Sequence, residues 1–415
     1  MAIAAAVLII TYVGIAFTRL PGIALDRPSA AFTGAVLMVL LGVMTLDQAV
    51  AAIDFNTISL LLGMMILVAV LRHNGFFHLL ADRAFRLART PWRFLVIEVV
   101  ATAVLSAFLV NDVVVLLFTP VVLQVCRRLQ ANPIPYLIAE AMASNTGSTA
   151  TIVGNPQNML IGVRSGIAFA RFFLYLAPVA LAATAALILV IWLLYRRQFE
   201  GTAAQVRPEI VAEAYQPRSM RWSAVILGVT LVMFFLSSAV NVQVPVIALA
   251  AGAAVLLFGR VRPSETIRTV DWVLLLFFAG LFVVVGGAKQ AGVLDPLLRL
   301  LVIEPDLKGM GSLVAFSALG SQVVSNVPLV MLLLHAVESV HSHLLWVALA
   351  AGSTLGGNLT LIGAVANIIV VESAARRGVH VGFWEFLKVG VLVTLASLAL
   401  GALVLAGEYW LGVLR

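Results

Sequence analysis

The chain is 415 residues long, 62% hydrophobic and only 11% charged, with a formal net charge of +7. So little charge cannot cover the surface of a soluble protein of this length, and the composition predicts an all-α polytopic membrane protein. The single cysteine, Cys126, excludes a disulfide framework and a multi-cysteine metal site, so no metal or cofactor is expected.

Apolar stretches fall near residues 3–18, 29–46, 56–72, 95–126, 137–163, 172–195, 222–238, 243–258, 272–288, 310–340, 344–373 and 384–411. Met1 opens the first of them without a basic leader, so no cleavable signal is predicted. The stretches around 95–127 and 310–340 are too long for one span. Each carries a polar break at its centre, "VNDV" at 110–113 and "SNVP" at 325–328. Helical hairpins that enter and leave on one face, with the break at the tip, fit them best. Two such hairpins divide the 26 Lys and Arg very unevenly, leaving only Arg164, Arg171, Lys289, Arg299, Lys308 and Arg415 on one face. The richer face is cytoplasmic by the positive-inside tendency, which places the polar linker 196–221 in the cytoplasm. With its charge spread this way, nucleic acid is not an expected partner. Residues 76–92 alternate apolar and basic side chains at helical spacing and predict an interfacial helix.

The halves repeat. "IDFNTISLLLGMMILVAVLRHNG" at 53–75 parallels "VDWVLLLFFAGLFVVVGGAKQAG" at 270–292, so that Asp54 matches Asp271, Gly63 matches Gly280 and Arg72 matches Lys289. Asn111 then matches Asn326, and "TIVGNPQNMLI" at 151–161 matches "TLIGAVANIIV" at 360–370. Five crossings separate the first pair, so equivalent elements are inverted. The predicted organisation is a first inverted repeat over 1–195 and a second over 222–415. The first holds a hairpin at 95–127 and a broken helix at 137–163, and the second a hairpin at 310–340 and a broken helix at 344–373. Inverted repeats with paired broken helices signal a transporter whose site lies at the repeat interface.

Each break leaves free N–H groups on one side, which favour anions, and free carbonyls on the other, which favour cations. The expected binding residues in the first half are Asn111, Asp112, Asn145, Thr146, Gly147 and Ser148, with Thr151, Gly154, Asn155 and Asn158 after them. In the second half they are Ser325, Asn326, Gly357, Asn358, Thr360, Gly363 and Asn367. Small residues permit close backbone approach and the amides and hydroxyls supply donors and acceptors. Asp112 places an acid at membrane depth, where acids are costly and functional, and is expected to couple transport to protons, with Glu98 and Glu140 in the same relay. The histidines at 335, 341 and 343 read as loop residues, and Asp54 and Asp271 as helix caps. No G-x-x-x-x-G-K-[ST], H-E-x-x-H or G-x-S-x-G occurs, which argues against an ATP-driven pump and against an intramembrane enzyme.

The segments "IDFNTISLLLGMMILV", "VNDVVVLLFTP", "SNTGSTATIVGNPQNMLIG" and "GGNLTLIGAVAN" resemble the ion transporter superfamily. That group includes divalent anion–sodium symporters, citrate transporters, ArsB arsenite permeases and NhaD sodium–proton antiporters, and the ArsB/NhaD branch is the most similar. The resemblance implies about 11 transmembrane elements, elevator-type alternating access in the cell membrane, and a homodimer. The Ser-Asn-Thr tips of the sodium-dependent dicarboxylate members read here Val110-Asn111-Asp112 and Ser325-Asn326-Val327, which removes hydroxyls from the tips. The expected function is therefore proton-coupled secondary transport of a small inorganic or organic ion, arsenite or antimonite in the ArsB-like version. Sodium–proton exchange, sodium-coupled uptake of citrate, dicarboxylate or sulfate, and a passive channel are the alternatives.

Overall fold

The computed structural model of the chain describes residues 1–16, 26–77, 79–80, 90–199, 217–298 and 303–414, and among them every regular element is helical. The predicted interfacial helix at 76–92 and the linker at 196–221 fall mostly outside the described residues. In chain order the helices are α1 (Ala2–Ala16), α2 (Arg27–Leu40), α3 (Leu46–Ala52), α4 (Phe55–His73), α5 (Pro91–Phe108), α6 (Asn111–Leu129), α7 (Ile134–Ser148), α8 (Pro156–Ser165) and α9 (Phe169–Tyr195). They continue as α10 (Pro217–Leu236), α11 (Val244–Phe258), α12 (Pro263–Arg268), α13 (Trp272–Gln290), α14 (Asp295–Leu298), α15 (Leu307–Val324), α16 (Asn326–Glu338), α17 (His343–Gly356), α18 (Val365–Ala375) and α19 (Phe383–Trp410). Among the described residues, α4, α5, α9, α10, α13 and α19 are long and apolar enough to cross a membrane.

The two overlong stretches resolve as helix, break, helix. Helix α5 stops before Leu109 and Val110, and α6 starts at Asn111. Helix α15 stops before Ser325 and α16 starts at Asn326. Ser325 makes the turn with φ 70 and ψ 166, a region that costs a residue with a side chain on the order of 1–3 kcal/mol. The two broken helices appear as α7 and α8 around residues 149–155, and as α17 and α18 around 357–364. In the first, Asn155 caps α8 by accepting from the Asn158 N–H, with Pro156 opening the helix. In the second, Ala364 occupies the cap position and offers no side-chain acceptor.

Hydrophobic burial does not hold helices together in lipid, so close packing through small residues must. Gly63 of α4 lies directly on the backbone of Ala248 and Leu249 in α11. Gly280 of α13 lies on Ala31 and Phe32 in α2, where an added Cβ would stand 2.8 Å from the Ala31 carbonyl carbon. Both partners in the second crossing sit 217 residues from their counterparts in the first, the offset that the sequence repeat gives. The hairpins follow suit: Gly147 of α7 meets the backbone of Ala103 in α5, and Gly356 of α17 meets Ala318 in α15.

Charge marks the ends of α4. At its start the Asp54 carboxylate accepts from the N–H groups of Asn56 and Thr57 at 3.0 and 3.2 Å, as the cap role predicted. The same side chain is paired with Arg164 Nε of α8 at 2.8 Å, and Arg164 also reaches Glu338 of α16 at 3.7 Å. Asp271 caps α13 through the Leu274 N–H at 2.9 Å. His335 lies inside α16 rather than in a loop, whereas His341 is exposed.

Replacing Gly63 with Ala pushes a methyl into the α11 backbone, and we expect the detergent melting midpoint to fall by the equivalent of about 1–3 kcal/mol. Gly280→Ala gives a smaller fall, because its gap is wider. Gly228→Ala has open space around it and gains helix propensity of about 1 kcal/mol, so its midpoint should hold or rise. Equal midpoints for all three variants would refute this account of the crossings.

Candidate functional site

The four breaks meet in one network of amides. Asn145, near the end of α7, donates through Nδ2 to Asn358 Oδ1 at 2.9 Å and to Asn367 Oδ1 at 3.0 Å, joining the two broken helices directly. Asn111 at the first tip donates to Asn145 Oδ1 at 3.4 Å, and its backbone N–H donates to the Gly154 carbonyl at 2.9 Å. Thr151 donates to the Ala107 carbonyl at the end of α5, so the first tip is fastened to the first break twice.

Two asparagines close the helix ends. Asn158 Nδ2 donates to the carbonyls of Ser148 (3.1 Å), Thr149 (3.3 Å) and Thr151 (3.0 Å). Asn367 Nδ2 donates to those of Gly357 (2.8 Å) and Thr360 (2.9 Å). Ser148, Thr151 and Asn158 each have their counterpart 209 residues on, in Gly357, Thr360 and Asn367. The same pin therefore holds both breaks. These amide groups satisfy carbonyls that lipid would leave bare, so they build the site's walls rather than face a solute.

The second tip docks partly through residues that carry no motif in the sequence. With the Asn326 amide oriented by its partners, its nitrogen donates to the carbonyls of Gly363 (2.8 Å) and Ser353 (3.0 Å), and its oxygen accepts from Gln157 Nε2 at 3.2 Å. Gln322 Nε2 donates to the Gly356 carbonyl at 2.8 Å, while Thr360 Oγ1 donates to Gln322 Oε1 at 2.8 Å. Thr354 stands between the halves, accepting from Gln157 at 3.2 Å and from Asn155 at 3.4 Å. Gln157 belongs to the conspicuous "GNPQN", and Thr354 stands 209 residues after Asn145, the offset of the other paired residues; Gln322 has no such counterpart signal.

Thr146 turns the other way, its Oγ1 donating to the Ala143 carbonyl and accepting from Thr184 of α9 at 3.2 Å. Gly147 and Ser148 serve the packing of α7, with Ser148 accepting from Asn155 at 3.0 Å. Ser325 is 8% exposed and makes no side-chain cap.

The three expected acids are not together. Asp112 points out of the network into a cavity of ≈ 680 Å³ lined also by Val110, Arg72, Arg262, Asp271 and Val365. Its carboxylate interacts with Arg27 at the start of α2 and with Asp271. Arg72 and Arg262 line this cavity near the end of α4, and Arg164 with Asp54 lies at the opposite end of that helix. Glu98 and Glu140 are buried among α5, α6 and α7 instead, where Thr119 donates to Glu140 Oε1 at 3.0 Å.

What the arrangement offers a solute is specific. The starts of α16 and α18 have no side-chain cap, so their first N–H groups are free to meet an anion, whereas the first N–H of α6 is held by the Gly154 carbonyl. Asn111 Oδ1 is buried without a partner at the edge of the network, an acceptor still to be used. The cavity touches the starts of α6 and α18 through Val110 and Val365 and brings guanidinium groups close by. No group of three or more metal-ligating side chains occurs among the described residues.

The sequence pattern of the family described as "Citrate transporter" matches residues 7–352. The chain is 37% identical over 410 residues to "Uncharacterized transporter Rv2685" of Mycobacterium tuberculosis, covering 94% of this chain and 96% of that protein. It is 35% identical to a "46 kDa membrane protein" of Mycobacterium leprae, with 98% of each covered. Among solved structures it resembles the YdaH transporter of Alcanivorax borkumensis, with a TM-score of 0.57 at 17% identity, covering 93% of this chain and 88% of that one. Apolar helices around a polar centre, a shared fold and a family match over most of its length agree: this protein is a membrane transporter of the citrate transporter family.

Proposed function

We propose that the protein is a secondary active carrier for a small anion or oxyanion-like solute, coupled to protons through Asp112. The observation that carries this reading is the meeting of four helix breaks in one amide network beside a cavity that carries both guanidinium and carboxyl groups. In that setting, uncapped helix starts stabilise negative charge without a buried counter-ion. Arsenite or antimonite, as neutral or singly charged oxyacids, suit amides, hydroxyls and helix ends with no thiolate. A second reading, citrate or a dicarboxylate, is favoured by the family description and by Arg72 in the cavity wall, whose guanidinium suits a carboxylate.

The cycle we infer is alternating access of the elevator type. The hairpins and broken helices carry the solute as a unit, while α2, α4, α11 and α13, locked by their glycine crossings, stay as the frame. Asp112 sits at the moving tip and faces Asp271 and Arg27 of the frame, so its charge state would change as the tip slides past them. That coupling of charge to position is what an ion-driven carrier needs.

In proteoliposomes loaded with a pH-sensitive dye, arsenite, antimonite, citrate, succinate, sulfate, sodium or lithium added singly should reveal the solute by the proton flux it evokes. Asp112→Asn should abolish that flux. Solute uptake without proton movement, or an unaffected variant, refutes the coupling role. Counterflow of labelled against unlabelled solute is expected and would be absent from a passive channel.

Asn111→Ala and Asn158→Ala should separate binding from architecture. Asn111→Ala should lose uptake with a small change in melting midpoint. Asn158→Ala strands three carbonyls and should lower the midpoint by the equivalent of about 1–3 kcal/mol. Parallel uptake and melting measurements that show the reverse pattern would move the site away from Asn111.

A further inference from the structure

Helix α5 carries Glu98, Thr102 and Ser106 at intervals of four residues, a single stripe that ends just before the first hairpin tip. All three are buried, at 3%, 0% and 0% exposure. Both oxygens of Glu98, the Thr102 hydroxyl and the Ser106 hydroxyl have no hydrogen-bond partner. The stripe runs on to Asn111, whose Oδ1 is likewise unpartnered, and it is joined from α7 by Glu140, whose Oε2 is free.

The hydroxyls are the telling part. A Ser or Thr in a helix ordinarily donates back to a carbonyl three or four residues earlier. Ser144, Ser148, Thr149 and Ser353 all do so here. Thr102 and Ser106 lack that bond, as Thr57 and Thr394 do elsewhere, and they stand in line with Glu98 on one face of α5. Leaving a buried polar group unpaired costs about 1–3 kcal/mol, and here five side chains on three neighbouring helices share that cost. Successive hydroxyls four residues apart are about 6 Å from one another along the axis, a gap that a short file of about two bridging waters closes with ordinary hydrogen bonds.

The charged surroundings fix the species. Glu98 and Glu140 lie within electrostatic reach of each other. The other titratable groups facing Glu98 are Cys126 from α6 and Tyr136 from α7, and none among the described residues faces it from α9. No salt bridge reaches either carboxyl among the described residues. With no cation beside them, a proton is the species these two carboxyls can take up and release.

We propose that Glu98 and Glu140 form a proton-loading pair, joined to the hairpin tip at Asn111 by a file of hydroxyls and waters through Thr102 and Ser106. The pair is a second proton-carrying site, apart from Asp112, and it rests on the carrier reading only for its purpose, not for its chemistry. In the transfer, an O–H bond breaks at one carboxyl and one forms on the adjacent water. The excess proton passes along the file to the tip, and the carboxylate left behind shares the proton of its neighbour. Reloading reverses the same steps.

Infrared difference spectroscopy of the reconstituted full-length protein after an alkaline pH step tests this without any solute. The expected result is loss of a protonated-carboxyl band that persists in Asp112→Asn and is absent from Glu98→Gln, with Glu140→Gln as the second variant if the first fails to fold. Thr102→Val combined with Ser106→Ala should slow the band's loss about tenfold, since it removes both links between waters. A band indifferent to pH, unchanged in both Gln variants, or abolished by sodium but not by choline would overturn the pair as a proton site. An unchanged rate in the double variant would overturn the file. If no solute evokes flux while the band behaves as expected, the carrier reading fails and the proton site stands. Flux with an indifferent band overturns the proton site and leaves the carrier standing.

Discussion

Everything polar in this molecule answers to one constraint: a backbone carbonyl at membrane depth must find a donor. A helix that stops in the middle of a bilayer leaves four carbonyls bare, and the chain closes them with an asparagine placed shortly afterwards. Asn158 takes three carbonyls of the first break, and Asn367 takes two of the second. With the ends pinned, the remaining amides are free to join the halves, as Asn145 does through Asn358 and Asn367. The hairpin tips then dock onto carbonyls of the breaks themselves. The site is thus a by-product of repairing two interrupted helices in the same place.

Much of this is legible in the sequence because polar residues are conspicuous in a greasy chain. The breaks at 110–113 and 325–328 fall where the helices stop, and the repeat offset reappears in the packing of Gly63 and Gly280 on Ala248 and Ala31. Most of the expected binding residues do gather at the network. Their roles are harder to read, since a row of asparagines does not say which of them face a solute and which face carbonyls. That distinction depends on the rotation of each helix, which composition leaves open. For the same reason Asp112, adjacent in sequence to Asn111, looks the opposite way, and Thr146 faces α9 while its neighbour Asn145 holds the centre. Gln322 is hard to single out because one or two polar residues in an apolar helix are ordinary, whereas Thr354 is legible only through its 209-residue offset from Asn145.

The division of the acids is a matter of environment. Asp112 stands in a cavity shared with arginines and another carboxylate, where charge can be screened and exchanged with water. Glu98 and Glu140 stand where neither screening nor a counter-ion is at hand. Side chains of one chemical class thereby stand in different settings, Asp112 at the tip of the first hairpin, Glu98 within it and Glu140 on the neighbouring broken helix.

The pairing of Asp54 with Arg164 has a consequence for how such a molecule lets go. Most buried ion pairs resist separation because each partner is left destitute when the other departs. Asp54 would not be: its carboxylate already holds the N–H groups of Asn56 and Thr57, and these stay with it whichever way α8 travels. Arg164 likewise keeps Glu338 within reach, on a neighbouring helix that belongs with α8. In the cycle proposed above, the joint between the frame and the broken helix would therefore be a catch that opens without stranding a charge on either side, firm when engaged and cheap to release.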